Sequence, residues 1–140
     1  MLELKDVVLQ QGAFSLQADM QLNAQTRIAV IGPSGAGKST LLMGLAGFLT
    51  ASRGQINWQD RDIANDPPAS RPFSVLFQDN NLFPHMSVEQ NVGLGLRPSL
   101  KLSEVERDAV QSALTSVDLD GMGARKPAEL SGGQQSRAAL

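Results

Sequence analysis

Gly32-Pro33-Ser34-Gly35-Ala36-Gly37-Lys38-Ser39-Thr40 is the stretch from which the rest of the chain is read. It matches the phosphate-loop pattern, two glycines separated by four residues and followed by Lys and Ser or Thr. Its flanks suit that reading. Residues 27–31 are a short apolar run, Arg-Ile-Ala-Val-Ile, expected as a strand buried on both faces. From Lys38, the residues Leu41, Leu42, Leu45 and Ala46 recur at helical spacing up to Gly47, which predicts a helix over 38–48. Strand, glycine-rich loop and helix together aim backbone amides at phosphate oxygens, and the helix N-terminus adds partial positive charge. Position in the loop then assigns roles. Lys38 is expected on the β and γ phosphates and Ser39 on Mg2+, with amides of Gly35, Ala36, Gly37 and Thr40 on phosphate oxygens.

Working outward, Phe14, Leu16, Ala18, Met20 and Leu22 alternate with polar residues, the period of a half-buried strand. Phe14 is expected on the apolar face, in the core rather than on a nucleotide base. Residues 54–58 and 73–77 read as further strands around a turn-rich segment at 65–72. Ser103 and Glu106 have capping-box spacing, and Val105, Ala109, Val110, Ala113, Leu114 and Val117 follow as one stripe, predicting a helix to about Asp118. Strands alternating with helices indicate an α/β fold with a helical insertion.

Composition narrows the chemistry. The 140 residues suffice for one domain with a core, and 41% hydrophobic with 19% charged residues is ordinary for a folded protein. Net charge is −2, so no positive field exists to hold nucleic acid. Absence of cysteine removes disulfides, thiolate catalysis and cysteine-ligated metals. Neither a signal-peptide core nor an apolar run of membrane-spanning length is present, so a cytoplasmic location is expected, with any membrane contact made through a partner.

A second motif, Leu130-Ser131-Gly132-Gly133-Gln134, has a chance frequency on the order of one in ten thousand for average composition. By itself it is also a serine-capped helix start running toward Leu140. The two motifs together resemble the ATP-binding cassette ATPases. The segments GPSGAGKSTLL, AGFLT, RPFSVLFQDNNLF, NVGLGL and ELSGGQ are most similar to the ATP-binding subunits of bacterial thiamine importers.

That resemblance implies an α/β P-loop NTPase core with N-terminal antiparallel strands over 1–78. It implies a helical signature subdomain over 79–140, incomplete at the C-terminus. ATP and Mg2+ are the implied cofactors. Gln78 would sense magnesium and the attacking water. Leu130 to Gln134 would meet ATP held by a second copy of the subunit, with Ser131 and Gly133 on its γ-phosphate. Permease subunits would dock after Gln78, near Phe83, Pro84 and Met86, and a periplasmic solute-binding protein would act indirectly. The implied location is the cytoplasmic face of the inner membrane. His85 is expected as a loop residue.

Two departures stand out. The aspartate, glutamate and distal histidine that follow the signature in the family are not in this sequence, so hydrolysis by this stretch is expected to be impaired and exposed apolar faces prone to aggregate. No tyrosine is present to stack on adenine. Rival readings are a nucleotide-binding fragment without turnover, a cassette ATPase for another solute, and a small P-loop kinase using Asp79, which leaves the second motif unexplained.

Overall fold

The computed structural model describes residues 1–77 and 82–140, which fall into two compact units, Met1–Val75 and Leu76–Leu140. Gln78 and Asp79 lie outside the described residues.

In the first unit, β1 (Leu2–Gln11), β2 (Phe14–Leu22), β3 (Ala51–Trp58) and β4 (Arg61–Asp62) form an antiparallel sheet in the order β2-β1-β3-β4. β1 buries Leu2 and Leu4 and then Val7 and Leu9, a pattern that skips one step of strict alternation. A bulge between Leu4 and Val7, with Asp6 at φ +47°, inserts the extra residue and returns the second pair to the core face. Gly54 lies against this bulge at φ +90°, where a Cβ would strike the backbone carbonyl of Asp6. Gln59 and Asp60, at φ +48° and +68°, make the left-handed two-residue turn whose twist suits a β3–β4 hairpin.

The phosphate-loop helix α1 (Lys38–Ala46) lays Leu41 and Gly44 on this sheet. Gly44 lets the helix come close, since a Cβ there would collide with Leu9 Cδ1. The helix stops at Gly47, φ +84°, with Gly47 N donating to Gly44 O and Phe48 N to Met43 O, the paired bonds of a glycine-terminated helix. Leu2, Leu4, Val7, Leu9, Leu41, Ile56 and Ile63 fill the core, each large side chain contributing about 1.5–3 kcal/mol of burial.

The expected strand at 54–58 lies within β3. The strands expected at 27–31 and 73–77 are not formed. Ile28, Val30 and Ile31 are 52%, 47% and 91% exposed, and Val75 and Leu76 are 38% and 54% exposed. An apolar run encodes a demand for burial, but a strand also needs a neighbour for its amides and carbonyls. None of the described strands pairs with either segment.

The second unit is helical: α2 (Val88–Leu94), α3 (Glu104–Ser116), a 3-10 turn at Pro127–Glu129 and α4 (Gly132–Ala138). Ser87 with Gln90, Ser103 with Glu106 and Ser131 with Gln134 each form a complete reciprocal capping box. The core gathers Val88, Val110, Leu114, Leu119, Leu130 and Ala138. The apolar stripe of α3 is narrower than expected: Val105 is 78% exposed, and Ala109 and Ala113 are exposed too. Val105 sits about 140° around the helix from Val110, away from the line of Val110, Leu114 and Val117.

The start of α3 is tied by a carboxylate. The Glu106 carboxylate accepts from Ser103 N at 2.8 Å and from Arg97 Nε at 2.6 Å, and these bonds lower its pKa from 4.5 to about 2, the Ser103 amide acting most. A folded-state pKa below the unfolded one means that the stabilisation is present above about pH 4.5 and is lost as pH falls toward 2. Acid titration followed by circular dichroism is expected to show helix loss in that window, and Glu106→Ala to remove this component. An identical acid profile in the variant would contradict the assignment.

Candidate functional site

The phosphate loop is closed by bonds of its own backbone. Ala36 N donates to Pro33 O at 3.3 Å and Leu41 N to Gly37 O at 2.9 Å, while Gly35 and Gly37 take φ +79° and +89°. Those left-handed conformations are nearly free for glycine and shape the turn between Ser34 and Lys38. Lys38 Nζ folds back over the loop and donates to Gly32 O at 2.8 Å and Pro33 O at 2.7 Å. An ammonium held there is a point charge beside amides that make no bond into the helix.

A pocket of about 270 Å3 lies over this loop, lined by Gln11, Phe14, Ser34, Gly35, Gly37, Lys38, Ser39 and Thr40. Phe14 corrects the core placement expected from strand alternation. It is 38% exposed, and its Cζ lies 2.9 Å from where a Cβ of Gly37 would be. Ala18 is buried, with Leu16, Met20 and Leu22 packed on the core, but Phe14 stands at the start of β2, where the sheet edge passes over the loop instead. Gln11, on the other side of the β1–β2 turn, is a pocket residue that sequence reasoning missed.

The second motif lies in the helical unit. Leu130 is 6% exposed and anchors the motif in the core, while Ser131, Gly132 and Gly133 are exposed. Ser131 Oγ accepts from Gln134 N at 3.3 Å and Ser131 N donates to Gln134 Oε1 at 2.9 Å. The hydroxyl proton is left for another acceptor, since Oγ serves here only as acceptor. Gln135 Nε2 donates to Pro127 O at 2.9 Å and Leu130 O at 3.3 Å, holding the turn before the motif. A Cβ at Gly132 or Gly133 would meet nothing within 4 Å, so packing within the unit does not require glycine at either position.

Phe83, Pro84 and His85 form an exposed turn ahead of α2, with Met86 half-buried. Asn91 on α2 fixes it: Oδ1 accepts from Phe83 N at 2.7 Å, and Nδ2 donates to Phe83 O at 3.1 Å and Ser87 O at 2.9 Å. His85 is a loop residue, as expected, its ring edge-on to Phe83 at 6.0 Å. Asn91 was not anticipated; the Ser87-x-x-Gln90 spacing was the available sign that a helix begins here. Among the described residues no group of three or more His, Cys, Asp or Glu side chains could hold a metal, and no helix is long and apolar enough to cross a membrane.

The profile of the ABC transporter family matches residues 16–140. Over its whole length the chain is 52% identical to the "Thiamine import ATP-binding protein ThiQ" of Ruegeria sp. (strain TM1040) and 44% identical to the protein of that name from Escherichia coli O157:H7. It spans 61% and 60% of those relatives. Among solved structures, a dimeric form of the bacterial ABC transporter cassette MJ0796 superposes with a TM-score of 0.79 at 25% identity, over 100% of this chain and 67% of that one. The same cassette in a post-hydrolysis dimer bound to ADP and Pi gives 0.75, over 99% and 67%.

Proposed function

We propose, because the chain belongs to the ABC transporter family, that it is part of an ATP-binding subunit that drives solute import through a membrane permease, with thiamine as the solute. The observation that carries the ATP reading is the pocket over residues 34–40, with the Lys38 ammonium and the loop amides on one side and Phe14 on another. In this reading Lys38 exchanges its bonds to Gly32 O and Pro33 O for β- and γ-phosphate oxygens. Amides of Gly35, Gly37 and Thr40 hold the remaining charge, the Ala36 amide being committed to Pro33 O.

Ser39 opens into the same pocket and supplies one neutral oxygen. Mg2+ there would take its other ligands from phosphate oxygens and water, as this ion commonly does, and would neutralise phosphate charge. Ser131 and Gly133 are the proposed contacts to the γ-phosphate of ATP held by a second copy, and Gln78 completes the proposed set. The boundary between a core over 1–78 and a signature subdomain over 79–140 belongs to the same reading. Phe83 and Pro84 offer an exposed turn for the permease, which would keep the subunit at the cytoplasmic face of the membrane.

Titration with a fluorescent ATP analogue, with and without Mg2+, tests nucleotide binding. Phe14→Ala is expected to weaken ATP about tenfold, the usual scale of base–aromatic stacking, and to leave inorganic triphosphate binding unchanged. Equal loss of both ligands would place Phe14 on the phosphates instead. For the solute, the gene carrying this sequence should restore thiamine uptake to cells lacking their own importer ATPase; no uptake despite ATP binding would remove the thiamine assignment.

A further inference from the structure

Arg71 is the charged residue buried among those described, at 7% exposure, in a segment whose sequence announces only a turn. Its guanidinium sits on main-chain oxygens from two separate pieces of the first unit. Nη1 donates to Gly44 O at 3.0 Å and Leu45 O at 2.9 Å, both in the last turn of α1. Nη2 donates to Ala64 O at 2.8 Å and Nε to Asp66 O at 2.9 Å, both in the turn after β4. That turn is itself tied to the sheet, since Ile63 N donates to Ile56 O at 2.7 Å and Ile63 and Ala64 belong to the core. One side of the cation therefore grips the helix and the other grips the sheet.

We propose that Arg71 is a positioning residue for the phosphate loop, setting the angle of α1 on the sheet from the helix end opposite the nucleotide. The inference rests on the ATP reading above. α1 is about 13 Å long, and Gly44, whose carbonyl Arg71 holds, also lies against Leu9 of the sheet, so the clamp and this helix–sheet contact fall together near the C-terminal end. A shift at the clamped end moves the Lys38–Thr40 amides by a comparable distance, and a misplacement of about 1 Å at reacting groups can cost a hundredfold.

The chemistry selects arginine. Four carbonyls on two sides need a planar fork of donors, and an ammonium reaches only some of them. The charge also suits the C-terminal end of α1, where the helix dipole is negative. Burial pushes the guanidinium pKa down, with Asp66 and Asp62 opposing, yet arginine remains charged in proteins. Gly47 is part of the seat: its left-handed φ of +84° ends the helix, and a Cβ there would come within 2.7 Å of Arg71 Nε.

The test compares the parent with Arg71→Lys and Arg71→Ala, each at a temperature where denaturant melts show it folded. ATP titration is expected to give a dissociation constant raised about tenfold in Arg71→Lys. Millimolar methylguanidinium is expected to restore ATP affinity to Arg71→Ala by refilling the seat. A folded Arg71→Lys that binds ATP like the parent overturns the proposal, as does methylguanidinium that raises the melting point without restoring affinity. Should Arg71→Ala not fold, the lysine variant decides. Should the parent itself not bind ATP, the nucleotide reading fails, and hydrogen exchange judges the clamp: faster exchange at the Leu41 to Leu45 amides in Arg71→Lys supports it, and unchanged exchange overturns it.

Discussion

Lys38→Ala is expected to lower ATP affinity about a hundredfold, the scale on which truncating one member of a hydrogen-bonded charge pair acts, while leaving the fold intact. The second half follows from where the ammonium rests. Its partners, Gly32 O and Pro33 O, belong to exposed residues, so water replaces the lost bonds and no buried carbonyl is stranded. The loop keeps its own closures, Ala36 N to Pro33 O and Leu41 N to Gly37 O. Titration with an ATP analogue and circular dichroism on the same sample check both halves. Near-parental affinity would show that the amides alone hold the phosphates, and a lost fold would show that Lys38 staples the loop.

Leu114→Ala is expected to be a strongly damaging truncation in the helical unit. Leu114 is 1% exposed in a cluster of six buried residues, so the cavity it leaves has few neighbours able to close it. Such truncations cost about 2–5 kcal/mol, a large share of the stability of any small unit. With a urea dependence of about 1–3 kcal/mol per molar, the midpoint of the helical transition should fall by about 2 M. Leu96→Ala, at a position 48% exposed, is the control and should leave the midpoint in place. Equal midpoints for the two variants would mean that Leu114 is not a keystone of this core.

The features legible in the sequence are those whose cause is local. The phosphate loop depends on glycine backbone freedom and on a lysine a fixed number of residues away, and Gly35, Gly37 and Lys38 behave as that spacing requires. Helix starts at Ser103 and Ser131 follow from reciprocal bonds spanning three residues. Ser87 carries the same signal, but α2 has two asparagine or glycine residues within Val88–Leu94, and these poor helix formers hide it. What was misread depends on partners. Residues 27–31 and 73–77 carry the composition of buried strands, yet composition does not say which strand lies alongside. Phe14 shows the same limit, since alternation assigns a face of β2 but not what lies over each end of it. Arg71 gave no sign at all: its role arises from four carbonyls that the fold alone collects.

The pairing of β1 with β3 sets a schedule for synthesis. Leu2 finds Trp58 across the sheet, whereas β2 follows β1 after a two-residue turn. At about 5–20 residues per second, the first hairpin is complete roughly 2–7 s before β3, which ends at Trp58, has fully left the ribosome. During that interval one edge of β1, carrying buried-type residues Leu2, Leu4, Val7 and Leu9, has free amides and carbonyls and is open to pairing with another nascent chain. The bulge beside Asp6 takes that edge out of flat register, one of the devices by which exposed edges are blunted.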